Sequence, residues 1–152
     1  MRLLCDEMLK GIGRWLRAAG YDTAIAQDGV ADEDLLAQAR VENRVLLTCD
    51  RALAARSAPG AVVLLNTASL DEAAAALRER LAIDWLHVPF SRCLLDNALL
   101  GEAPPAAPTR LPERSRMGPG PITVCPDCCR IYWPGSHVRR MRARLGRWRH
   151  AT

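Results

Sequence analysis

Lysine is almost missing from this chain. Lys10 stands alone, and the other 20 of the 21 basic residues are arginine. No stretch approaches the ~18–20 consecutive apolar residues of a membrane span, although 49% of the residues are hydrophobic. The first residues lack the basic, then apolar, then small-residue order of a signal peptide, so the cytoplasm is the expected compartment. There the six cysteines read as thiols or metal ligands rather than disulfides. No internal repeat is visible. A length of 152 residues implies one domain, or one domain with an appendage, and is enough to bury a core.

Charge is unevenly spread. Residues 1–109 carry 11 Lys and Arg against 15 Asp and Glu, whereas residues 110–152 carry 10 against 2. An acidic body with a basic tail points to a polyanionic partner, RNA first among them. An Arg-rich solvated surface is the plainer alternative.

Apolar periodicity alternates between strand and helix. Residues 2–5, 21–25, 45–49 and 61–65 read as short buried strands. Met8, Leu9, Ile12, Trp15, Leu16 and Ala19 recur at helical spacing, and Gly20 offers a stop. Leu35, Leu36 and Ala39 mark a second helix that Asp32 is placed to cap, and residues 51–56 a short third. Ser69 and Glu72 form a capping box before an Ala-rich helix ending near Leu81. This alternation implies βαβ units, a parallel sheet and helices on both faces. The composition shifts after about residue 88. Residues 101–121 hold 6 of the 10 prolines and read as a loop or linker. In the last segment Val138, Met141, Leu145 and Trp148 share one helical stripe that six arginines avoid.

Two strand signals end in aspartate, MRLLCD at Asp6 and VLLTCD at Asp50. Asp32 precedes the helix between them. Ligands in open parallel sheets sit beyond the carboxyl ends of the strands. If the first and third strands are neighbours, the three acids converge. A carboxylate cluster suits Mg²⁺ or Mn²⁺, and a pair of such ions activates water and stabilises the leaving oxygen of a phosphodiester. Simple helix capping is the competing reading for each of them, while Glu7, Glu33 and Asp34 read as solvated. Two rival phosphoryl-transfer folds lack residues they require. A haloacid-dehalogenase-like phosphatase needs Asp where Met8 stands, and a receiver domain needs a lysine after a late strand.

Asp6-x-Met8-Leu9 leading into Arg14-Trp15-Leu16-Arg17-x-x-Gly20-Tyr21-Asp22 resembles the PIN-like RNase domain at the C-terminus of Mut-7-type exonucleases, also found as a free-standing prokaryotic protein. Asp32 before Leu35-Leu36-x-x-Ala39, and Val45–Thr48 ending in Asp50, resemble it too. So do Ser91-Arg92-Cys93 with Asn97, and Cys125-x-x-Cys128 followed by Tyr132-Trp133-x-Gly135-Ser136-His137. The resemblance spans nearly the whole chain. It implies a three-layer α/β/α sandwich with a parallel sheet over residues 1–88. Residues 89–152 would form a zinc-ribbon-like segment with the proline-rich loop 101–121 and a basic C-terminal helix. It also implies RNA cleavage with Mg²⁺ or Mn²⁺ held by Asp6, Asp32 and Asp50. Arg14, Arg17 and Arg51 are then candidate phosphate contacts near the acids, and Arg139, Arg140, Arg142 and Arg144 candidate RNA contacts on the tail.

The chain departs from this family at two places. Cys49 stands where an Arg usually precedes the last acid, and it, like Cys5, reads as a core residue. The pattern implies two CxxC pairs, a tetrahedral zinc site. The second pair is Cys125 and Cys128, but the first reads Cys93-Leu94-Leu95-Asp96. Asp96 is one candidate fourth zinc ligand, and Cys129 and His137 are others. Alternatively zinc is lost and Tyr132, Trp133 and Trp148 hold the ribbon by packing. Two functions are carried forward: a metal-dependent ribonuclease, and an RNA- or ribosome-binding module with little or no cleavage.

Overall fold

The computed structural model describes residues 1–66, 68–107, 111, 113 and 120–150. Its first half alternates as expected. β1 (Arg2–Cys5) leads through a 3₁₀ turn (Glu7–Leu9) into α1 (Lys10–Ala19), followed by β2 (Asp22–Ile25) and α2 (Asp32–Val41). β3 (Val45–Thr48), α3 (Arg51–Ala55), β4 (Val62–Leu64) and α4 (Leu70–Leu81) complete the body. The four strands form one parallel sheet in the order β2-β1-β3-β4.

Side chains alternate across this sheet, as the pleat requires. Leu3, Cys5 and Leu47 join one core with Leu16, Leu77 and Trp85. Leu4 and Leu46 join the other with Leu35, Ala39 and Leu53. Helices thus cover both faces, and the fold is the expected mixed α/β architecture. Ser69 caps α4 as expected, with Glu72 N donating to Ser69 Oγ at 3.2 Å, while Glu72 Oε2 reaches one residue further back and accepts from Ala68 N rather than from the Ser69 N–H of a capping box. Gly20 ends α1 at φ +100°, where a Cβ would meet the Val88 carbonyl oxygen at 2.4 Å. Only glycine permits that approach.

A second, antiparallel sheet holds β5 (Gly101–Glu102), β6 (Thr123–Val124) and β7 (Ile131–Tyr132) in that order. α5 (Ser136–His150) follows. Its stripe of Met141, Leu145 and Trp148 enters the same core as α1 and α4. Trp148 packs edge-on against Trp15 and Trp85, with centroids 5.0 and 4.8 Å away. No helix among the described residues is long and apolar enough to cross a membrane.

Three expectations need correction. Met8 is 75% exposed, because it lies in the 3₁₀ turn before the helical periodicity begins. Ala31, not Asp32, occupies the N-cap of α2. In the proline-rich segment, residues 108–110, 112 and 114–119 lie outside the described residues, but Ala107 and Leu111 are buried, so part of that segment packs as core.

Candidate active site and metal centre

β1 and β3 are hydrogen-bonded neighbours, which meets the condition for the aspartates to share one edge. The chain runs from β1 outward to β2 and then back past β1 to β3, so the gap between β1 and β3 is the topological switch of the sheet, the preferred ligand position in such folds. Asp6 and Asp50 stand at the carboxyl ends of these two strands, and Asp32 opens the helix after β2.

Asp6 is 6% exposed. Its Oδ1 accepts from Met8 N at 3.0 Å and Leu9 N at 3.1 Å, capping the 3₁₀ turn. Its Oδ2 accepts from the Thr48 hydroxyl and from Cys49 N. Four donors fill the roughly four acceptor positions of a carboxylate. Asp6 therefore locks the end of β1 to the end of β3. Asp50 caps α3 with Oδ1, which accepts from Ala52 N at 2.6 Å and Leu53 N at 3.1 Å. Its Oδ2 has no hydrogen-bond partner among the described residues, and the residue is exposed. Asp32 Oδ2 pairs with Arg56 at 2.6 Å. Capping is thus realised at both Asp6 and Asp50, and among the described residues the three aspartates do not gather their oxygens as closely as the cysteine group below gathers its ligand atoms.

Thr48 was not foreseen as part of this site. Its hydroxyl donates to Asp6 and accepts from Asp50 N at 3.0 Å. The signal was its position two before Asp50, which puts both residues on one side of the extended chain. Glu7 also joins in, accepting from Gly29 N at 2.6 Å and tying down the loop after β2.

The arginines divide sharply. Arg14 and Arg51 are exposed. Arg17 is 6% exposed and donates to the carbonyls of Thr23, Leu94 and Leu95, so it clamps the turn after Cys93 to the body rather than standing as a free phosphate contact. Arg139 and Arg140 are exposed on α5, and Arg142 lies over the Phe90 ring. Arg144 lies over both the Trp15 and the Trp148 ring and pairs with Asp71 at 3.0 Å. That places it in the docking of α5 onto the body.

The cysteines form a second site. The ligand atoms of Cys93, Asp96, Cys125 and Cys128 all lie within 4.8 Å of one another. Two matching turns build it. Cys93 N donates to Ala98 O and Asn97 N to Cys93 O; Cys125 N donates to Arg130 O and Cys129 N to Cys125 O. Asn97 and Cys129 both take positive φ, 68° and 56°. Asp96 is therefore the positional equivalent of Cys128, and Cys129 that of Asn97. This explains why Cys129 stays outside the group, as does His137. Cys93 and Cys128 sulfurs are 3.8 Å apart, which is the edge of a tetrahedron of Zn–S bonds of about 2.3 Å. Asp96 Oδ2 lies 3.4 Å from both Cys93 and Cys125. Hydrogen bonding to the Asp96 carboxylate raises the Cys128 thiol to about 12. Burial works against ionisation of Cys93, but hydrogen bonds, first from the Tyr132 hydroxyl, outweigh it and lower that thiol. Three thiols and a carboxylate that share protons in this way are able to bind a metal ion such as zinc.

Cys5 and Cys49 belong to neither site. Burial, reinforced by the Asp6 charge, raises Cys5 to about 12, and Cys49 Sγ lies 3.1 Å from the Leu65 carbonyl.

The family model of the Mut7-C RNAse domain matches residues 1–145. The chain belongs to that family. No curated protein and no solved structure matches the chain. The Mut7-C match covers body, cysteine turns and most of α5 together, so the aspartate edge and the cysteine group fall within one family unit. Membership suggests an RNA-related nuclease function with RNA as the substrate.

Proposed function

We propose that the chain is a metal-dependent ribonuclease that hydrolyses RNA phosphodiesters at the edge carrying Asp6, Asp32 and Asp50. The observation behind this reading is the adjacency of β1 and β3, which sets Asp6 and Asp50 on either side of the sheet's switch point. The donor set is all carboxylate oxygen, the kind that Mg²⁺ and Mn²⁺ prefer. Asp50 and Asp32 each keep one oxygen without a hydrogen-bond partner among the described residues. Asp6 would offer Oδ2 once the Thr48 hydroxyl rotates away. The ion would supply an activated water and charge neutralisation at phosphorus.

The protein's own part is positioning. Asp6 and Thr48 fix the two strand ends. Asp50 is held by the first turn of α3. Arg56 pairs with Asp32 Oδ2 and steadies the carboxylate, leaving Oδ1 for the ion. Arg14 and Arg51 are exposed near the same edge and would hold phosphates. Zinc at Cys93, Asp96, Cys125 and Cys128 would be structural, since four protein ligands leave no open position.

A second reading is an RNA- or ribosome-binding module with little cleavage. It is favoured by the full engagement of Asp6 and by the Asp32–Arg56 pair. Incubating purified protein with a mixed RNA pool, with and without Mn²⁺, separates the two. Mn²⁺-dependent fragments lost in Asp50→Asn support the nuclease. Intact RNA that is nevertheless bound supports the module.

A further inference from the structure

The ribbon face carries a cavity of about 480 Å³ that neither the aspartates nor the cysteines use. Leu94, Leu95, Tyr132, Trp133 and His137 line it, with Arg130 at its rim. Its volume falls in the range of ordinary small-ligand sites, about 300–1,000 Å³. Three aromatic rings, two leucines and a guanidinium are the chemistry that takes up a nucleobase: flat faces for stacking and a cation for the adjoining phosphate. The walls are fixed in advance. The Tyr132 hydroxyl accepts from Leu94 N at 3.0 Å and lies 3.1 Å from Cys93 Sγ. The Trp133 indole fills the space above Gly135, where an added Cβ would meet its Nε1 at 2.8 Å.

Leu95, 46% exposed, also lines a second cavity of about 180 Å³, whose other walls are Lys10, Arg14, Arg17 and Ile25. One cavity is aromatic, the other cationic, and they share a wall. Lys10 and Arg14 are one turn apart on α1, and α1 starts immediately after the turn that Asp6 caps. The order from the carboxylate edge is thus Asp6, then Lys10 and Arg14, then Leu95, then Trp133. Arg17 acts behind this surface. Its bonds to the Leu94 and Leu95 carbonyls hold the shared wall against the body.

We infer that the two cavities form a subsite for single-stranded RNA. The Trp133 cavity takes one unstacked base, and Lys10 and Arg14 take the phosphates between that base and the carboxylate edge. The inference rests on the nuclease reading for its polymer class. A base within a duplex is already stacked and paired, so duplex RNA gains nothing from this cavity.

The test uses the full chain, a short fluorescein-labelled single-stranded RNA, and the same RNA annealed to its complement, without added divalent cations. Anisotropy should show Trp133→Leu weakening single-strand affinity about tenfold or more, the loss expected for one stacked base. Duplex affinity should stay unchanged. Joint Lys10→Gln and Arg14→Gln should lower the salt slope of single-strand binding. Photo-crosslinking of the wild-type protein to iodouridine-substituted RNA needs no variant and should label the peptide spanning residues 130–138. Unchanged single-strand affinity in Trp133→Leu, equal loss on both RNAs, or crosslinks only outside that peptide would each overturn the subsite. If Asp50→Asn abolishes cleavage while Trp133→Leu binds normally, the nuclease stands and the subsite falls. If Trp133→Leu loses binding but the wild type cleaves nothing, the subsite stands and the nuclease falls.

Discussion

The side-chain amide of Asn97 donates to Asp22 Oδ1 at 2.7 Å, and its own oxygen accepts from Thr23 N at 2.9 Å. Asn97 follows Asp96 directly, so the turn that carries two of the four cysteine-site ligands is stitched to β2, the edge strand of the body's sheet. Arg44, nearly buried, donates to the same Asp22 oxygen at 2.7 Å. Burial alone would raise the Asp22 carboxyl. Hydrogen bonds from Arg44, Asn97 and Arg2, with the Arg44 charge, outweigh it and bring it down to about 2.

The folded value lies below the unfolded carboxylate value of about 3.9. The stability from this group is therefore complete above the unfolded value and is lost as pH falls toward about 2. Asp22→Asn should cost about 1–3 kcal/mol at neutral pH and flatten the acid limb of stability between about pH 4 and 2. Urea melts across that range measure both. An acid limb as steep as in the wild type would assign the pH dependence to other groups.

Asp50 and Asp6 should respond differently to the same change. Asn caps a helix about as well as Asp, so Asp50→Asn should keep the α3 cap and the melting temperature while removing Mn²⁺-dependent cleavage. In Asp6→Asn one accepting oxygen becomes an amide donor facing N–H or O–H donors. A cost of about 2 kcal/mol or more is expected there. Thermal melts beside a cleavage assay read both variants. Full cleavage by Asp50→Asn would remove the aspartate edge from the reaction.

The sheet and its aspartate ends were legible because the strands are short apolar runs, and two of them, β1 and β3, lead straight into an acid. Which strands pair was not, since adjacency depends on long-range contacts that periodicity does not carry. Arg17 looked like one more surface cation, because nothing local reveals that three backbone carbonyls meet its guanidinium. Asp96 was recognisable by its spacing from Cys93, but its choice over Cys129 and His137 needed the repeated turn, a backbone property written in hydrogen bonds rather than in residue types.

The α5 arginines should separate into two classes. Arg144→Ala removes the Asp71 pair and the stacking on Trp15 and Trp148. A loss of about 1–3 kcal/mol is expected, from packing as much as from charge. Exposed Arg139 and Arg140, changed together to Gln, should leave the melting temperature alone. They should reduce the salt slope of RNA binding by about one for each phosphate that is no longer neutralised. Denaturation and salt-titrated binding on both variants give the comparison. Equal effects on both readouts would contradict this division.

Zinc gives the remaining prediction. Cys93, Cys125 and Cys128 offer three soft sulfurs, and Asp96 offers an oxygen at the position equivalent to Cys128. Zinc accepts an oxygen, but three thiolates with a carboxylate should hold it less firmly than four thiolates. Cys128 is pushed up to about 12, first by its hydrogen bond to the Asp96 carboxylate, so zinc must displace a firmly held proton, and uptake should weaken steeply as pH falls. Asp96→Cys should slow zinc loss to a chelator and raise the zinc-loaded melting temperature, because binding to the folded state adds to its stability. Cys129→Ser should change neither, since Cys129 matches Asn97 in the paired turn. Metal content by elemental analysis, followed through chelation, checks all three proteins. Zinc retention that fell in Cys129→Ser and stayed level in Asp96→Cys would reverse the assignment of the fourth ligand.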